Sequence, residues 1–245
     1  MSETPQTQTA TSQTPSDYPG LLARAIGIIT SPAAIFAHVV RTPKVAGMLF
    51  LVGLLAGLAQ GLPQLSESGR AAAVEMQVQS LERFGMDVSD ETYQQMYERS
   101  RYGAYTTILG TLVMMPVGIV FFTAIFWAVF NIILGGTASF KHVMAVLTHS
   151  QVISTVGALF AAPIMYARGT VSAGVANLGA LLPMLDETSF LAKFLGVIDL
   201  FVIWWMVVLA IGLATLYKKT TKGVATGLFI CYAIFALVWA YFTAG

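Results

Sequence analysis

The chain has 245 residues, of which 56% are hydrophobic and 10% charged, and its formal net charge is +1. Soluble domains carry about 25% charged residues, so the composition excludes an ordinary soluble domain, and the near-neutral charge offers no basic surface for nucleic acid. The single cysteine, Cys231, excludes a disulfide within the chain and a cysteine-based metal site.

In chain order, Met1 to Pro19 is rich in Thr, Gln, Ser and Pro and has no apolar core. It lacks the 7–15-residue apolar stretch of a cleaved signal and is expected to be a disordered polar tail. The transmembrane domain is then 20–245, and its first span serves as the insertion signal. Leu21–Val40 is interrupted by Thr30-Ser31-Pro32, where Ser31 as N-cap and Pro32 at the first position predict a helix start. Pro32 to Arg41 is too short to span. It is expected to lie in the membrane interface, or else to pack on the bundle.

Five apolar stretches follow, at about Val45–Leu62, Tyr105–Leu134, His142–Ala167, Phe194–Tyr217 and Gly223–Phe242. A hydrocarbon core about 30 Å thick needs about 20 apolar residues at 1.5 Å each. The expected fold is therefore all-α, a polytopic membrane protein built as a five-helix bundle. The loop 63–104 holds seven of the twelve acids and shows helical spacing at Val74, Val78 and Leu81, with a second helix opening at Asp90-Glu91. It is expected to form a helical hairpin outside the membrane, with Tyr93, Tyr97, Tyr102 and Tyr105 as interfacial anchors or, alternatively, as a partner-binding face. The second span exceeds the bilayer and is expected to tilt or run on into this hairpin, with a kink at Pro116.

Basic residues near the span ends set the orientation. With the N-terminus inside, the cytoplasmic segments hold Arg24, Arg41, Lys44, Lys141, Lys218, Lys219 and Lys222. The other side holds Arg70, Arg83, Arg99, Arg101, Arg168 and Lys193, four of them diluted in one long loop. A cytoplasmic N-terminus and an extracytoplasmic C-terminus follow.

Polar groups inside spans are costly in lipid and are the first candidates for function. They are Asp199, His149, Gln151, Asn131 and Gln60. If the fourth span starts near Phe194, Asp199 and His149 are about 12 Å apart along the membrane normal, too far for a direct pair. Gln60 and Tyr166 are then expected nearer Asp199, and Asn131 nearer His149 and Gln151. The plainer alternative for each is a buried hydrogen bond that fixes helix packing, worth about 0.6 kcal/mol. Gly53, Gly57 and Gly61 form a doubled G-x-x-x-G stripe, and Gly223 and Gly227 a second one. Such stripes let helix backbones approach closely, within the chain or between chains, and packing within the chain is the expectation. The phosphate-loop, nucleophile-elbow and zinc-protease motifs are absent, and no nucleophile stands beside a base.

Several segments resemble proteins of the Yip domain family of the bacterial type. They are Thr30-Ser31-Pro32 leading into Phe36, then Leu134-Gly135-Gly136-Thr137-Ala138-Ser139-Phe140-Lys141, and Leu195-Gly196-Val197-Ile198-Asp199-Leu200-Phe201-Val202-Ile203-Trp204 followed by Leu209-Ala210-Ile211-Gly212-Leu213. The resemblance covers about residues 20–242. It implies a five-span integral membrane protein with no catalytic residues or cofactor to carry over, and it marks Asp199 and Trp204 as signature positions. In a bacterium the natural home is the inner membrane. Eukaryotic relatives are associated with Rab-type GTPases, but the tail here has no acidic-hydrophobic binding motif to carry that role. The expected function is a non-enzymatic scaffold or adaptor that organises membrane lipids or partner proteins, self-association included. The alternative is a small transporter or channel subunit with an ion or proton path near Asp199.

Overall fold

The computed structural model describes residues 18–171, 174–182, 184–186 and 188–244. Most of the expected polar tail lies outside these residues. Among them the architecture is helical, with one isolated antiparallel bridge between Asn177 and Asp199. The helices are α1 (Leu21–Thr30), α2 (Pro32–Val39), α3 (Ala46–Gly61), α4 (Glu67–Arg83), α5 (Asp90–Arg99), α6 (Gly103–Trp127), α7 (Phe140–Arg168), α8 (Phe190–Val197), α9 (Leu200–Tyr217) and α10 (Thr221–Thr243). Five helical stretches are long and apolar enough to cross a membrane: Ala46–Leu65, Asp90–Ile133, Phe140–Arg168, Leu200–Tyr217 and Thr221–Thr243.

The centre of the bundle is α7. Of its apolar window 56% is buried, against 11% for the rod that contains α6 and 17% for α10. Small residues decide which helices come closest. A Cβ on Gly57 would lie 3.2 Å from the Ile108 backbone, and one on Gly61 3.0 Å from the Ala104 carbonyl, so α3 and α6 run almost backbone to backbone. Gly53 faces the more pliable Leu112 and Met115 side chains of α6. On the other flank, Gly157 of α7 accommodates the Phe201 ring, and Gly212 of α9 accommodates Val146 and Phe36. These two contacts put α7 and α9 antiparallel in fixed register.

The short helix α2 packs on the bundle. Ile35, Phe36 and Val39 are buried in one cluster with Val143, Val146, Leu209 and Leu213. Pro32 opens it, and Ser31 breaks the chain from α1 at φ −150° without a side-chain cap bond. The helix α1 is arranged inside out by soluble standards. Its only charge, Arg24, is 6% exposed, whereas Leu22 and Ile26 are 67% and 61% exposed. An apolar outer face around a buried charge suits a helix whose solvent is lipid.

After α3 come α4 and α5, with Ser66 and Ser89 accepting the Gly69 and Thr92 N–H groups as caps, and α5 opens a long rod. From Asp90 to Ile133 the chain is continuously helical. It ends in a π-helical turn, Ala128–Ile133, in which the Leu134 N–H donates to the Val129 carbonyl.

The ends of the bundle differ in charge. Val40, Leu134 to Ser139, His142 and Tyr217 to Lys219 line one cleft and so define one end. That end carries Arg41, Lys44, Lys141, Lys218, Lys219 and Lys222, with Arg24 buried deeper in the bundle, and, among the described residues, no acid. The described acids, Glu67 to Glu98 and Asp186 to Asp199, all belong to the opposite end. There the Thr188 N–H and hydroxyl both donate to Asp186 and hold its carboxyl below the usual carboxylate range.

The expected fourth span, Phe194–Tyr217, is not one helix. Ile198 and Asp199 are extended, and α8 stops at Val197. The Leu178 N–H donates to the Ile198 carbonyl and the Leu200 N–H to the Ala176 carbonyl, which ties the break to the preceding loop. The spanning helix α9 is therefore 18 residues long, about 27 Å.

Candidate functional site

The polar centre of the bundle forms where α1, α7 and the start of α3 meet. His149 is 0% exposed on α7, nine residues from the helix start and so about 14 Å into it. Its Nδ1 lies 2.7 Å from the Ala145 carbonyl, and its Nε2 lies 2.8 Å from Arg24 Nη1. A carbonyl only accepts and a guanidinium only donates. The network therefore assigns the proton to Nδ1 and the lone pair to Nε2, which makes the imidazole neutral and fully bonded.

Arg24 is the buried cation of this centre. Nη1 also donates to the Tyr18 hydroxyl at 3.2 Å and faces the Lys44 carbonyl at 3.5 Å. The Tyr18 ring is clasped between two cations, with Arg24 Cζ at 4.9 Å and Lys44 Nζ at 4.5 Å from its centroid. Lys44 is exposed, and a cation–π contact at an exposed site contributes about 0.5–1 kcal/mol. Arg24 Nε has no partner among the described groups. No described carboxylate forms an ion pair here, and the described ion pair, Arg70–Glu67, lies at the acidic end. Among the described residues, the arrangement includes no carboxylate and no thiol. What it does is fasten α1 to α7 and to the start of α3.

Asp199 is held apart from this centre. Its Oδ1 accepts the Phe201 N–H at 2.7 Å and the Val202 N–H at 3.2 Å, which makes it the N-cap of α9. Beside it, the Tyr232 hydroxyl of α10 donates to the Val197 carbonyl. Phe201 is level with Gly157, eight residues along α7 from His149, about 12 Å. The two candidates do not meet. Asp199 sits at a helix boundary rather than one turn inside a span, because the break at Ile198 is invisible to an apolar window.

The inner trio does not assemble either. Asn131 folds back on its own loop: its Nδ2 donates to the Ala138 carbonyl at 2.9 Å and its Oδ1 accepts the Ala138 N–H at 3.0 Å. The Trp127 indole donates to the same carbonyl at 3.0 Å. Asn131 thus clamps the turn after α6, and the π-helical turn aims it there. Replacing Asn131 with aspartate keeps the acceptor and removes the donor, so amide exchange over 134–139 should accelerate about tenfold for the loss of about 1.4 kcal/mol; unchanged exchange would contradict the clamp. Gln151 accepts from Ser154 at 3.4 Å, and exposed Gln60 donates to the Ala56 carbonyl one turn back. Gln60 is thus bonded within its own helix, and Asp199 is engaged with the Phe201 and Val202 N–H groups rather than with Gln60 or the exposed Tyr166. Trp204 is half-buried against the core and stacks on Phe201, with centroids 6.4 Å apart. Among the described residues, no three His, Cys, Asp or Glu side chains gather as a metal site.

Arg24 and Tyr18 are the members of the centre that sequence reasoning missed. Arg24 counted only as a marker of orientation, yet it is the sole charge in the apolar run Leu21–Thr30, and that isolation was the available signal. Tyr18 carried none.

A protein-family model described as the Yip1 domain matches residues 26–242 of the chain. No curated protein matches it, and no solved structure does.

Proposed function

The chain belongs to the Yip1 domain family, and from that premise we propose that it is a non-enzymatic integral membrane protein that organises lipid or partner proteins. One observation carries the proposal: the three polar candidates that could have built a path are each engaged in a bond that holds structure. Asp199 caps α9, His149 holds Arg24, and Asn131 clamps a turn. Between the levels of Asp199 and His149, the buried residues of α7 and α9 include Val152, Ile153, Met206 and Leu209, and the buried Ser150 and Thr155 hydroxyls of α7 donate to carbonyls one turn back in their own helix. A transport site of the common kind instead combines broken helices with polar groups near the midplane. The basic end faces the cytoplasm in this proposal, following the excess of Lys and Arg in its short segments.

Asp199 separates the proposal from the transporter alternative. Asn caps a helix about as well as Asp, whereas Ala costs about 1 kcal/mol. Asp199→Asn should therefore melt with the wild type and Asp199→Ala below it, while vesicles containing wild type or Asp199→Asn stay equally impermeable to protons and small cations. A wild-type flux abolished by Asp199→Asn would establish the alternative. Crosslinking in the native membrane, read by mass spectrometry, tests the organising role directly; recovery of the chain with no reproducible protein or lipid neighbour would count against it.

A further inference from the structure

A groove of about 750 Å³ runs between the end of α6 and the start of α10, within the size range of ligand sites. Its walls are mostly apolar, with Phe126, Val129 and Leu134 on one side and Gly227 and Cys231 on the other, and Lys218, Lys219 and Thr220 stand at its mouth. The Gly223/Gly227 stripe, expected to pack against a helix, opens this groove instead. A Cβ on Gly227 would meet nothing within 4 Å, and one on Gly223 only the Thr220 hydroxyl. The π-helical turn contributes Val129 and Phe130 to the opposite wall.

We propose that this groove holds an anionic phospholipid, with one acyl chain against Gly227 and Cys231 and the headgroup phosphate on Lys218 and Lys219. Charge decides the occupant. The mouth lies at the end of the bundle that carries six exposed bases, Arg41, Lys44, Lys141, Lys218, Lys219 and Lys222, and no described acid, where a phosphate supplies the missing counter-charge. The lysines are placed by the turn itself. Lys218 takes a left-handed conformation, φ +52°, after α9, and Thr220 caps α10. The first N–H groups of α10 add to the attraction for an anion. The charge sits at the Lys218–Thr220 end of the groove and the apolar walls run away from it, which is the polarity of a lipid. Each lysine near an anionic surface contributes roughly fivefold in affinity. The inference rests on the membrane-spanning reading of the bundle, and a chain that fails it keeps its partner-organising role if crosslinks to proteins persist.

Cys231 is the chain's one cysteine and is exposed in the groove, so it provides the probe. The full chain, labelled there with bimane and held in nanodiscs, is titrated with brominated phosphatidylglycerol or brominated phosphatidylcholine. The anionic lipid should quench at far lower mole fraction. Lys218→Asn with Lys219→Gln should weaken that preference about 25-fold, and asparagine tolerates the left-handed turn. Gly227→Leu fills open space and should remove retained lipid in native mass spectrometry of the unlabelled chain, with the melting temperature unchanged. Equal quenching by the two lipids, or preference unaltered by the lysine variant, overturns the proposal. So does efficient Cys231–Cys231 crosslinking, which would assign the groove to a second copy of the chain.

Discussion

His149→Leu should be among the most damaging single substitutions in the bundle, lowering stability by about 3 kcal/mol. The variant removes the acceptor facing Arg24 and leaves a guanidinium that is 6% exposed with only Tyr18 and the Lys44 carbonyl as partners. Breaking a buried charged contact from one side costs about 3–5 kcal/mol, and the low end applies because the cation–π contact to Tyr18 survives. For a chain of this size the melting temperature falls by about 6–12 °C. Arg24→Leu removes the charge itself and strands only the neutral His149 Nε2, at about 1–3 kcal/mol. The double variant Arg24→Leu/His149→Leu should then be more stable than His149→Leu alone, since apolar replacement of both partners is often neutral. Thermal unfolding of the three variants in detergent, followed by tryptophan fluorescence, completes the cycle. Simple addition of the two single losses would show that the contact is not coupled.

The second large effect concerns the α3–α6 seam and depends on position along one stripe. Gly57→Leu should cost at least about 2–3 kcal/mol, because its Cβ would lie 3.2 Å from the Ile108 Cα and carbonyl oxygen and backbone cannot move aside as a side chain can. Gly53→Ala meets the Leu112 and Met115 side chains at 3.5 and 3.6 Å, ordinary contact distances. It should be neutral or slightly stabilising, given the helix preference for alanine over glycine of about 1 kcal/mol. The same unfolding assay ranks them. Equal melting of Gly57→Leu and Gly53→Ala would mean that α3 and α6 are not in backbone contact.

The seams differ in how the sequence announces them. The α3 stripe is a periodic run of glycines and is visible in the letters. Gly157 and Gly212, which lock α7 against α9 through Phe201, Val146 and Phe36, stand alone and signal nothing. The Gly223/Gly227 stripe looks the same as the first on paper, yet it faces open space. Spacing shows that a helix face is small but not whether another helix comes to it.

Hydropathy by itself determined the five crossings, since lipid demands about 20 apolar residues wherever a helix spans. The order of basic residues determined the segregation of charge, because it depends only on which loops share an end. The tertiary structure alone decided what the polar residues do. Asp199 became a cap because Ile198 pairs with Leu178 of the loop before α8, and an apolar window cannot register two extended residues. Asn131 turned to Ala138 through a single wide helical turn. Arg24 and His149 are 125 positions apart in the chain, and no local pattern links them. They meet because a buried cation in lipid must find its partners wherever folding brings them.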